Sequence, residues 1–90
     1  MENFLIKAFD ALQRELELFH ASDLVFGCPV AKFKGYSVTY YVYLSYSSNG
    51  VCMLGFSAHL SISSCRMFCG TDIDSAMRAA REYYESEKIF

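Results

Sequence analysis

Cysteine and histidine are the side chains here with the widest chemical reach. His59 lies a short way before Cys65 and Cys69, so an imidazole could prepare a thiol for nucleophilic attack. Such a pair needs a third group to hold the imidazole in one tautomer. No carboxylate occurs anywhere between Lys34 and Arg66. Zinc is bound by closely paired Cys or His ligands, whereas Cys65 and Cys69 are separated by three residues and Cys28 is remote in sequence. A Gly-rich phosphate loop and a Gly-x-Ser-x-Gly elbow are also missing. The expectation is a protein that is not an enzyme and that uses no cofactor and no metal.

The four cysteines Cys28, Cys52, Cys65 and Cys69 are even in number. The start Met1-Glu2-Asn3-Phe4 has neither a basic segment nor a small-residue cleavage site, so a disulfide framework is not expected. The thiols read as small, mostly buried hydrophobes. No apolar run approaches the roughly 20 residues of a membrane span. These features together suggest a cytoplasmic protein with no membrane contact.

What remains is tyrosine and serine. From Tyr36 the even positions read Tyr36, Val38, Tyr40, Val42, Leu44 and Tyr46, and the odd ones Ser37, Thr39, Tyr41, Tyr43, Ser45 and Ser47. A period of two sends these sets to opposite faces of a strand. After the next turn Cys52, Leu54, Phe56, Ala58, Leu60 and Ile62 continue the apolar face, while Met53, Gly55, Ser57, His59, Ser61 and Ser63 continue the other. Exposed sheet faces usually carry charge, so a neutral Tyr/Ser face suggests a surface that a partner covers. Thr39, Tyr41, Tyr43, Ser45, Met53, Ser57 and His59 are its candidate contact residues. Tyrosine gives contact area at small entropic cost and serine adapts its hydrogen bonds.

The elements that position this face follow from the same patterns. Residues 2–20 place Leu5, Ala8, Phe9, Leu12, Leu16 and Phe19 on one helical stripe. His20 then falls at the helix C-terminus, where its charge suits the dipole. Leu24 to Lys34 reads as a strand interrupted by Gly27 and Pro29, and proline assigns it to a sheet edge. Lys34-Gly35 reads as a two-residue turn, setting Phe33 opposite Tyr36, Ala31 opposite Val38 and Pro29 opposite Tyr40.

At the next turn Asn49-Gly50 suggests a two-residue loop, but that register would mix apolar and polar side chains on one face. A three-residue loop, Ser48-Asn49-Gly50, pairs Tyr46 with Cys52, Leu44 with Leu54, Val42 with Phe56, Tyr40 with Ala58 and Val38 with Leu60. It also sets Thr39 opposite His59 and puts Gly50 at the left-handed position of a bulged type I turn. Ser63 to Gly70 reads either as a short fourth strand or as an irregular connection. Thr71 caps a second helix, whose buried stripe is Ile73, Ala76, Met77, Ala80 and Tyr84.

Ninety residues, 53% of them hydrophobic, fit one packed domain. The expectation is a single α+β domain over residues 1–90, in the order α-β-β-β-(β)-α, with an antiparallel meander sheet and two helices packed on one face. The net charge of −2 removes the counterion-release term that drives nucleic-acid binding. A double-stranded-RNA-binding domain has a similar element order, but Thr71-Asp72-Ile73-Asp74 is acidic where phosphates would lie.

In size, mild acidity and hydroxyl-rich aromatic surface, the chain resembles the small inhibitors made by phages and mobile elements, the anti-CRISPR class among them. The resemblance is one of layout. It implies a cytoplasmic protein-binding module that inhibits a larger protein partner by occupying its surface. A structural homodimer through the sheet face is the second reading, and a single-stranded nucleic-acid binder the third.

Overall fold

The computed structural model describes residues 2–34, 38–60 and 62–87. Helix α1 (Glu2–Leu16) is followed by strands β1 (Ala31–Lys34), β2 (Thr39–Tyr46), β3 (Cys52–Ser57) and β4 (Arg66–Gly70), and by helix α2 (Ile73–Glu87). Short 3-10 turns occupy Ala21–Asp23 and Ile62–Ser64. The four strands form one antiparallel sheet in the order β1-β2-β3-β4. The fold is therefore α+β in the expected order, and Ser63 to Gly70 resolves into a 3-10 turn and a fourth strand. Among the described residues no helix is long and apolar enough to cross a membrane.

Both helices lie on the even face of the central hairpin. Phe9, Leu12 and Leu16 of α1 and Ala76, Met77, Ala80 and Tyr84 of α2 share one core with Phe33, Tyr40, Val42, Leu44, Cys52, Leu54 and Phe56. Rings interlock across it. Phe9 and Phe33 are 4.7 Å apart between centroids, Phe33 meets Phe56 edge-on at 5.8 Å, and Phe56 meets Tyr84 at 5.4 Å, separations at which aromatic pairs add to their area burial. Arg81 donates to Asp10 (2.7 Å) and Gln13 to Asp74 (3.1 Å), tying the two helices together outside the core.

The β2–β3 register is the expected one: Leu44 faces Leu54, Val42 faces Phe56 and Tyr46 faces Cys52. Gly50 has φ +86° and donates to the Ser47 carbonyl (3.0 Å), while Ser47 N–H donates to Val51 O (2.9 Å). That is the bulged type I turn, in which a left-handed residue closes a three-residue loop. Pairing stops at Tyr41 and Ser57, however. The expected pairs Tyr40–Ala58, Thr39–His59 and Val38–Leu60 do not form. Ser57 Oγ donates to His59 O (2.6 Å) and accepts from His59 N–H (3.1 Å), so a serine side chain captures backbone groups that the ladder would have used.

The β1–β2 register differs from the two-residue turn. Phe33 faces Tyr40, Ala31 faces Val42 and Lys34 faces Thr39; the turn itself and Tyr36 lie outside the described residues. The reason is Phe33, which this register places under Phe9 and against Phe56. Core packing outweighs the tightest turn. The shift is by an even number of residues, so each side chain keeps its expected face.

Two helix ends also differ. α1 stops at Leu16, because the next residues tighten into i→i+3 bonds: Leu18 N–H donates to Glu15 O and Phe19 N–H to Leu16 O, both at 3.2 Å. His20 instead opens the following 3-10 turn, its N–H donating to Asp23 Oδ2 (3.1 Å), so the dipole role does not apply. At α2 the cap is Asp72, not Thr71. Asp72 Oδ1 accepts from Ser75 N–H (2.9 Å) and its carbonyl accepts from Ala76 N–H (3.1 Å), the pairing of an N-cap with the third helical residue.

Candidate functional site

The face turned away from the helices is built from alternate residues of all four strands. β1 supplies Lys32 and Lys34, β2 supplies Thr39, Tyr41, Tyr43 and Ser45, β3 supplies Met53, Gly55 and Ser57, and β4 supplies Met67 and Cys69. Register aligns Tyr43, Gly55 and Met67 in one row and Ser45, Met53 and Cys69 in the next.

The row through Gly55 is closed from above. A methyl group on Gly55 would sit 2.8 Å from Met67 Sδ and 3.2 Å from Cys65 Cβ, so two sulfur side chains occupy the space a larger residue would need. Tyr43 is only 4% exposed. Its hydroxyl is enclosed and has no hydrogen-bond partner among the described residues. Burial pushes its phenol pKa up, and the Cys65 and Cys28 thiols and Tyr41 add to the rise. Ser57 is buried too, sharing a hydrogen bond with Ser64 Oγ at 2.8 Å in addition to its His59 contacts.

The sequence-derived contact residues therefore divide. Thr39 and His59 are exposed; Tyr41, Ser45 and Met53 are half-buried; Tyr43 and Ser57 are enclosed. The structure brings Tyr41, Tyr43, Ser45, Met53 and Ser57 together on the sheet. His59 stands apart, in the turn beyond β3.

Other residues also join this face. The Lys32 ammonium lies 5.8 Å from the centre of the Tyr41 ring, within cation–π reach, so the neutral face has a basic margin. Extending the period of two back into Leu24 to Lys34 finds that margin. Between α1 and β1 the chain makes a turn in which Cys28 N–H donates to Val25 O (3.1 Å) and Gly27 adopts φ +84°. The turn holds Phe26 at its tip, 89% exposed, next to Val25 at 66%. Only the Gly27 signal was available in sequence, and it marks a turn without saying what the turn displays. Val25, Phe26 and Cys28 line a groove of about 220 Å³ with Tyr43, Ser45 and Met67.

The chain matches no protein-family model, no curated protein and no solved structure.

The thiols are graded by depth. Burial, first of all, and nearby negative groups push the Cys52 thiol up to about 11, so it stays protonated and unreactive at neutral pH. Burial also raises Cys65. Cys28 and Cys69 are exposed. Among the described residues no three His, Cys, Asp or Glu side chains converge as a metal site would require. The second face thus offers ring area, thioether and hydroxyl groups, and two ammonium groups along one side.

Proposed function

We propose that this protein is a non-enzymatic binding module that occupies a surface on a larger protein, as phage-type inhibitors do. What supports the reading is Phe26, held almost fully exposed by a hydrogen-bonded turn beside the groove over Tyr43 and Met67. Exposed apolar groups gathered next to an apolar groove mark interaction sites more often than idle surface. The turn fixes Phe26 before contact, which spares the entropy of ordering a flexible anchor. Lys32 and Lys34 border the same face. The matching partner surface is neutral and apolar at its centre, with carboxylates where it meets these lysines.

Affinity capture with the full chain tests this against three variants: Phe26→Ser, Lys32→Glu and the control Glu85→Gln on the exposed side of α2. Phe26 occupies the position typical of an interface anchor, where truncation commonly costs 2 kcal/mol or more, about 30-fold in affinity. The expected result is a retained protein lost with Phe26→Ser, weakened with Lys32→Glu and kept by the control, at unchanged melting temperatures. Equal capture by all four proteins would remove Phe26 and its face from the function.

A further inference from the structure

The two edges of the sheet are finished differently. β1 is four residues long, exposes Lys32 and Lys34, and is preceded by Pro29, devices that discourage strand addition. β4 is one residue longer, has no proline before it, and carries a single charge, Arg66, at its first position. Its residues are Arg66, Met67, Phe68, Cys69 and Gly70, and among the described residues no strand lies beyond it.

The direction of its backbone groups follows from the hairpin turn. Ser47 N–H donates to Val51 O, so in steps of two the backbone groups of Tyr43 and Ser45 meet those of Gly55 and Met53. Cys52, Leu54 and Phe56 then direct theirs at their β4 partners Gly70, Phe68 and Arg66. Met67 and Cys69, both exposed, are left with N–H and C=O groups pointing away from the sheet.

We propose that β4 is an assembly edge to which a second copy of this chain adds, by antiparallel β4–β4 pairing about a two-fold axis at Phe68. This register places Met67 opposite Cys69 of the other copy twice, so all four outward N–H groups meet outward C=O groups. It also satisfies charge. Arg66, exposed with its guanidinium 4.5 Å from the centre of the Tyr83 ring, stands at the start of the strand and Asp72 just past its end, and antiparallel pairing sets Arg66 opposite Gly70 of the second copy, close to that copy's Asp72. Parallel pairing would bring like charges together.

The helix layer permits the approach as well. Ser75 packs close over Gly70 and Tyr83 lies 5.7 Å from Phe68, so the α2 stripe along β4 runs from the small residues Ser75 and Ala79 to the Tyr83 ring, and two-fold pairing would set the small end of one stripe toward the large end of the other. The inference does not depend on the partner-binding reading, since it concerns the edge and not the face; a pair formed this way carries two Phe26 turns on one side of a continuous sheet.

Sedimentation equilibrium and oxidative cross-linking of the full chain test it. The wild type should be a dimer at high protein concentration. Cys69→Lys should weaken association at least about tenfold, with the melting temperature of the dilute protein unchanged. Because Cys28 is also exposed, the cross-linking is done with Cys28→Ser: Cys28→Ser/Met67→Cys, treated with copper phenanthroline, should give a disulfide-linked dimer, two thiols losing their protons and two electrons to the oxidant. When Cys69→Ser is added that product should disappear, because the new thiol faces Cys69 and not its own counterpart. A wild type that stays monomeric, an association indifferent to Cys69→Lys, or a cross-link that survives the loss of Cys69 would each overturn the proposal. Loss of Phe26-dependent capture leaves these readouts untouched, so the two readings fail separately.

Discussion

The two faces of this sheet share every strand but are closed by different means. On the helix side, large side chains from six elements interlock, with Phe9, Phe56, Leu16 and Leu54 fully buried. On the other side neither α1 nor α2 packs, and among the described residues only the turn at Val25–Cys28 and the Cys65 segment reach over the sheet. Closure there depends on the Tyr43 ring, on Met67 and Cys65 folding over Gly55, and on Ser57 binding the backbone at His59. Burial on the second face is one residue deep. It is enough to enclose Tyr43 and too thin to cover Phe26, Val25 and Met67, which stay exposed.

The largest effect should come from the helix side. Leu54→Ala and Leu44→Ala are each expected to destabilise by about 2–5 kcal/mol, and their costs should not add because the residues face each other across the ladder. Urea melts of both singles and the double test this, and strict additivity would count against direct contact. Gly55→Ala probes the thin closure. Met67 Sδ can swing aside, but the Cys65 Cβ cannot move without its backbone, so a cost of about 1–3 kcal/mol is expected. A cost indistinguishable from zero would mean the second face has slack.

Gly50→Ala lies between the faces. It forces a Cβ into the left-handed region and should cost about 1 kcal/mol, more than Asn49→Ala, and both are read by chemical denaturation.

The smallest effect concerns Asp72, which caps α2 on the helix side. The Ser75 backbone hydrogen bond holds its carboxyl below the usual 3.8. The folded pKa is depressed, so this stabilisation is present above the unfolded value and is lost as pH falls through the folded one. Melting temperature against pH should therefore drop less steeply below about pH 4 in Asp72→Asn than in the wild type. Parallel acid limbs would refute the assignment of Asp72 as the cap.

Much of this architecture was legible because period-two alternation is local. The β2–β3 register followed from keeping apolar pairs together and from Gly50, and both helix stripes followed from their spacing. What was not legible depended on distant partners. Phe33 sets the β1–β2 register through Phe9 and Phe56, contacts that no turn preference encodes. Ser57 ended β3 by satisfying the backbone at His59, so an alternation that runs on past Ser57 in sequence has no ladder beneath it. Phe26 was invisible as a surface feature because exposure belongs to the fold and not to the residue. Lys32 and Lys34 lie just outside the charge-free stretch, and the same period of two places them on its face.

The offset between the expected and observed β1–β2 registers bears on how this chain can change length. Alternation admits a second solution whenever the connection between Lys34 and Thr39 grows or shrinks by two residues, since Phe33 still turns toward the helices and Lys34 away from them. A slip of one residue has no such escape: it would expose Phe33 and bury a lysine, so a single insertion or deletion has to be taken up in the connection itself, with the pairing kept. Where a change of length is passed into the strands as slippage, the slips tolerated at this junction should accordingly be even ones.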